Sequence, residues 1–182
     1  MKKLLKVSTL TLAVLSGSAF AAPNSGDVQF IGAVVDTTCD IVPLADTGAV
    51  SSVVQLGNVT TSTKAAGSGS NQSPVVNFSL KPKAGTTCNP VAMSNASFAF
   101  SGPLEASGLV PQSGTATDAI VKLRAVNAVG GAHDIDKTRT TSDVTLTDLN
   151  DPAKGAQFTA QLIGGTQAGD YRSALAYVVS YN

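Results

Sequence analysis

The stretch AIVKLRAVNAVGGAHDID, residues 119–136, decides the fold class. Over residues 119–126 apolar and polar side chains alternate, the period of two that gives a strand one buried and one solvated face. Residues 127–131 (NAVGG) supply turn chemistry and residues 132–136 return from it, so the segment predicts a β-hairpin. A helix would need apolar positions spaced by three and four. No segment longer than a turn or two carries that stripe.

The same pattern recurs on both sides of the hairpin. Upstream, PVVNFSLK (74–81) and ASFAFS (96–101) alternate, and VVQLGNV (53–59) predicts a further strand. Downstream, residues 143–149, AQFTAQLI (156–163) and YRSALAYVVSY (171–181) complete the set. Residues 60–73 are polar and rich in Gly and Ser, a loop. Residues 101–117 contain Pro103, Pro111 and three glycines and predict a long surface connection. Val, Thr, Ser, Gly and Ala dominate the composition and Trp is absent. Many short strands with turn signals between them predict an all-β sandwich in one domain.

The first residues read differently. MKKLLK is basic, residues 7–19 are small and apolar, and Ala19-Phe20-Ala21 is a small-x-small cleavage signal. Residues 1–21 are thus expected to be a secretory signal peptide, its apolar run too short to span a bilayer. Lys2, Lys3 and Lys6 leave with it, so nine basic residues face twelve acidic ones, a net charge of −3. That balance gives no basic footprint for nucleic acid. In an exported chain, two cysteines, Cys39 and Cys88, suggest one disulfide. Two free buried thiols are the alternative. A zinc site is disfavoured by a single His and no Cys-x-x-Cys pair.

Catalytic chemistry is not marked. His133, with Asp134 and Asp136 nearby, follows Gly130-Gly131 in an expected turn, where a solvated His is ordinary. There is no Gly-x-Ser-x-Gly elbow, no Gly-Lys-Ser/Thr after Gly67–Ser70, and a single Glu, Glu105.

Two ends of the chain are unusual for a self-sufficient domain. GDVQFIGAVVDTT (26–38) reads as an extended arm ahead of Cys39, with Val28, Phe30, Gly32 and Val34 on one face. Gly32 removes a side chain where a tight groove would demand it. The last strand runs to the end, with alternating Leu175, Tyr177, Val179 and Tyr181 preceded by Gly169 and Tyr171.

With these motifs in this order, the chain resembles the structural subunits of chaperone–usher fimbriae, close to type 1 major pilins, over essentially its whole mature length. KPKAGTTC ahead of Cys88 and the run Ala168 to Tyr171 depart from the usual pattern in loop detail only. The resemblance implies an incomplete immunoglobulin-like β-sandwich lacking its C-terminal strand, completed by a donor strand from another subunit. It assigns residues 22–38 to the donor-strand extension and 39–182 to the pilin domain. It implies that Cys88 is the partner of Cys39, and that Gly169, Tyr171, Leu175, Tyr177, Val179 and Tyr181 form a C-terminal motif contacted by chaperone and groove. The implied partners are further copies of the chain, a periplasmic chaperone, an outer-membrane usher, minor pilins and a tip adhesin, with no cofactor and no enzymatic activity. The implied place is the fimbrium at the cell surface. A minor, adaptor or receptor-binding adhesin subunit is the second reading, and a secreted hydrolase the third.

Overall fold

The computed structural model describes residues 39–63, 66 and 71–182. The expected signal peptide and the arm with Val28, Phe30, Gly32 and Val34 lie outside the described residues. The described elements are β1 (Ile41–Ala45), β2 (Val76–Pro82), β3 (Asn95–Ser101), β4 (Leu104–Glu105), β5 (Gly108–Leu109) and β6 (Ile120–Ala125), then β7 (His133–Ile135), β8 (Thr141–Thr145), α1 (Leu146–Asn150), β9 (Ala156–Ile163) and β10 (Ala176–Tyr181). They pair antiparallel in two sheets. One has the order β1-β2-β9-β6-β5-β4 with β7 also on β6, and the other the order β10-β3-β8. The chain is an all-β sandwich.

The hairpin of residues 119–136 forms as expected, with Leu123 opposite Ile135, Arg124 opposite Asp134 and Ala125 opposite His133. Val121, Leu123, Ala125 and Ile135 are buried, while Lys122 and Arg124 are exposed. β9 occupies the expected residues 156–163 and alternates in the same way, burying Ala156, Phe158, Ala160 and Leu162. Phe158 joins the two sheets. Its ring stacks on Phe78 of β2 at 5.4 Å and meets Phe98 and Phe100 of β3 edge-on at 6.2 and 5.3 Å. Stacked and edge-on pairs are the favoured aromatic geometries, so the rings add to the apolar burial around them.

The β2–β9 ladder contains a bulge that the sequence explains. Val76 pairs with Ala160, while the Ser73 N–H donates to the Leu162 carbonyl and the Ser73 hydroxyl accepts from the Leu162 N–H, so Pro74 and Val75 together oppose Gln161. Two residues against one define a β-bulge, a place where proline costs no ladder bond. The Gln161 side chain donates to the Ser73 carbonyl across it at 2.9 Å.

Cys39 and Cys88 are disulfide-bonded, with Cα atoms 5.4 Å apart. The bond ties the start of β1 to the loop before β3, closing a loop of 49 residues, a tie of roughly 4 kcal/mol in the chain-entropy account.

Four expectations are corrected. Residues 53–59 are extended but form no strand, because no described strand lies alongside them. The segment expected at 143–149 is strand only to Thr145, whose hydroxyl accepts from the Asp148 N–H and caps the five-residue helix α1. The supposed connection 101–117 contains the β4–β5 hairpin, and its later part pairs at Ser113 with Arg172. That pairing occupies Arg172, so the last strand starts at Ala176 and not at Tyr171. The sequence pattern does not mark β1, because Pro43 stands in its middle; it is an edge strand, where proline is tolerated.

Replacing Phe158 by Ala removes the ring shared by both sheets and is expected to lower unfolding free energy by about 3–5 kcal/mol in urea titrations. Thr159→Ala, one residue away on the outer face, is expected to stay within about 0.5 kcal/mol.

Candidate functional site: an apolar groove between the sheets

β10 is an edge strand, and among the described residues it pairs with β3 alone. On the opposite sheet the chain leaves β1, turns at Ala45–Gly48 and folds back so that Ser51 donates to the Pro43 carbonyl. It then runs extended through residues 53–59 without a ladder partner among the described residues. Burial along this run still alternates, with Val54 and Leu56 half-buried and Val53 and Gln55 exposed. The open edge of β10 with the chain leading to it, and the extended run 53–59, flank a groove of about 380 Å³.

The groove is apolar because the sandwich core is its floor. Phe78, Leu80, Phe100, Leu109, Val121 and Leu123 line the bottom. Val53, Val54 and Leu56 form one rim, and Tyr171, Leu175 and Tyr177 the other. Polar lining is limited to Ser51, Ser52, Ser173 and the tyrosine hydroxyls. A surface of this kind offers contact to apolar side chains and, at its rims, free backbone groups to an extended chain.

The C-terminal residues singled out in the sequence gather along one side. Leu175, Tyr177, Val179 and Tyr181 are half-buried against the core, whereas Val178 and Ser180 face outward. Tyr177 donates its phenol to the Ile41 carbonyl of β1 at 3.0 Å, crossing from one sheet to the other. Tyr171 donates to the Leu109 carbonyl at 2.8 Å. Tyr181 reaches the sulfur of Cys88 at 3.6 Å, joining the end of β10 to the disulfide. Gly169 sits at φ 150°, where a Cβ would run into the Thr115 side chain. The glycine lets the approach to β10 press against residues 112–116, to which Asp170 and Arg172 are hydrogen-bonded.

One positioning residue carried no sequence signal. The Asn150 side chain accepts from the Cys88 N–H at 2.8 Å and donates to the Cys88 carbonyl at 2.7 Å, as a paired strand would. This clamp holds the backbone of Cys88, and with it the disulfide, in place. It depends on α1, the helix the sequence reading took for strand. His133 places its two ring nitrogens 3.1 Å from the carbonyls of Gly131 and Thr141, a turn-stitching role away from the groove.

Of the chain's three tyrosines, Tyr171 and Tyr177 line the groove and Tyr181 ends β10. Burial raises the pKa of each, that of Tyr171 to about 12, with the Ser173 hydroxyl a smaller opposing influence there. A phenol whose folded pKa is raised keeps its full contribution below about pH 10 and loses it as pH rises through the folded value. The unfolding midpoint is therefore expected to fall between pH 10 and about 12, and an absorbance titration of the folded protein to show no tyrosine ionising at the ordinary pH. Tyr171→Phe should remove the highest of these ionisations and lower stability at neutral pH by about 1 kcal/mol through the lost hydrogen bond to Leu109.

No family model matches the chain. The F107 fimbrial protein of Escherichia coli is 35% identical over 182 residues, covering 100% of this chain and 99% of that protein. The K99 fimbrial protein of Escherichia coli is 30% identical over 191 residues, covering 95% and 98%. A solved chain from work on the chaperone–tip adhesin complex in CFA/I fimbriae biogenesis aligns with a TM-score of 0.41 and 14% identity. That alignment spans 79% of this chain but 43% of the other, too weak a likeness to carry weight. The two full-length relatives decide the assignment: the chain belongs to the family of fimbrial subunit proteins that includes F107 and K99.

Proposed function

We propose that this subunit polymerises by donor-strand exchange, the groove of one copy receiving residues 26–35 of the next. The supporting observation is the groove itself: β10 has one edge without a ladder partner, and residues 53–59 are extended with none, among the described residues. An entering strand gains main-chain hydrogen bonds along a rim, a recognition mode for which fimbrial subunits are a standing example. Val28, Phe30 and Val34 anchor in the apolar floor and Gly32 passes its tightest part. At about 1.5–3 kcal/mol for each buried apolar side chain, three anchors supply roughly 5–9 kcal/mol before ordering costs.

The same apolar groove gives a free subunit reason to need an escort. An open apolar groove beside unpaired strand edges is an aggregation site. A periplasmic chaperone covers it first, an outer-membrane usher passes the subunit on, and the arm of the next copy takes the chaperone's place. Leu175, Tyr177, Val179 and Tyr181 belong to the rim that chaperone and arm contact in turn. The product is a fibre of this chain, extended by minor pilins and a tip adhesin. The role is structural, without catalysis or cofactor.

Phe30→Asp places a charge where the groove is apolar. The variant is expected to be exported and recovered as soluble chaperone-bound subunit while electron microscopy finds no fibres. Fibres of normal length from Phe30→Asp would overturn the reading.

A further inference from the structure

The loop between β2 and β3 carries an apolar tip that faces solvent. Val91 is 90% exposed and Met93 45% exposed, with Ala92 between them at φ 62°. A residue with a Cβ rarely adopts that left-handed conformation unless its surroundings impose it. Here they do. On one side Cys88 is buried, disulfide-bonded and clamped by Asn150, and Pro90 is buried. On the other side the N–H groups of Ser94 and Asn95 both donate to the Asn182 carbonyl. The tip is thus a short turn held at both feet, and its apolar side chains are displayed by the fold.

Its position indicates what it meets. The chain that precedes the described domain enters at Cys39, whose Cα lies 5.4 Å from that of Cys88. Val91 is three residues further along, at most roughly 11 Å of extended chain. The tip therefore stands beside the point from which the N-terminal arm departs. A subunit that takes up the arm is drawn to this end of the donor, and the contact is heterologous, as head-to-tail growth requires.

We propose that Val91 and Met93 form a second docking surface for another copy of this chain, packing against the subunit that has received the arm. The proposal rests on donor-strand exchange for the partner's position, and adds a contact outside the groove. Burial of Val91 at this contact makes fibres hold together longer than the groove alone allows.

The test places the photoreactive residue p-benzoylphenylalanine at position 91 and irradiates purified fibres. The expected result is a covalent dimer that survives boiling in detergent, with the adduct mapped to a neighbouring subunit outside its groove. Val91→Asp fibres are expected to form and to dissociate roughly tenfold faster in denaturant, the effect of losing one buried apolar side chain. Photoreactive fibres that yield no intersubunit adduct, or Val91→Asp fibres as durable as the parent, would overturn the docking surface and leave strand exchange standing. Fibres formed by Phe30→Asp would instead overturn strand exchange, so the two failures are distinct.

Discussion

Backbone hydrogen bonding is the constraint on which the rest of this structure turns. Every N–H and C=O removed from water needs a partner, and strand edges that lack one are costly or sticky. In this chain β10 is an edge strand, and residues 53–59 run extended with no ladder partner among the described residues. Between these rims the core side chains of both sheets, Phe100 from one and Phe78, Val121 and Leu123 from the other, come to the surface of the groove. The groove opens beside β10, where the three-stranded sheet ends.

The rigid parts of the molecule hold that opening in shape. Phe158 links the sheets behind the floor through three aromatic contacts. The disulfide, the Asn150 clamp and the Tyr181 hydroxyl converge on Cys88 at one end. Tyr171 and Tyr177 reach across to sheet backbone at Leu109 and Ile41. These are strong constraints because each combines burial with a satisfied polar group, and a buried group left unpaired would cost more than its bond returns. Under the proposed strand exchange such a frame is an advantage, since a groove that is already shaped loses less freedom when a strand enters.

Much of this was legible in the residues. The period-two alternation of AIVKLRAV and AQFTAQLI gave two central strands because those strands have one face on the core and one in water. The C-terminal alternation of Leu175, Tyr177, Val179 and Tyr181 was legible for the same reason. What escaped the reading were features set by tertiary contact. Residues 53–59 carry strand-like alternation, but a ladder needs a neighbour, and none among the described residues stands there. α1 forms because Thr145 caps it and Leu149 is buried, signals too short to outweigh the preceding strand pattern. Asn150 is one polar residue in a turn-like NDP run, and its grip on Cys88 bridges 62 residues of sequence. The arm residues Val28, Phe30, Gly32 and Val34 lie outside the described residues, and the role proposed for them rests on the sequence pattern.

The most direct measurement is amide hydrogen exchange on the purified subunit, alone and with a synthetic peptide of residues 26–38. In the free subunit, amides of 53–59 and the outward-paired amides of β10 should exchange fast while those of β6 and β9 stay protected. Added peptide should slow exchange along the groove rims and leave the central strands unchanged. Rims already protected in the free subunit, or rims indifferent to the peptide, would contradict the account.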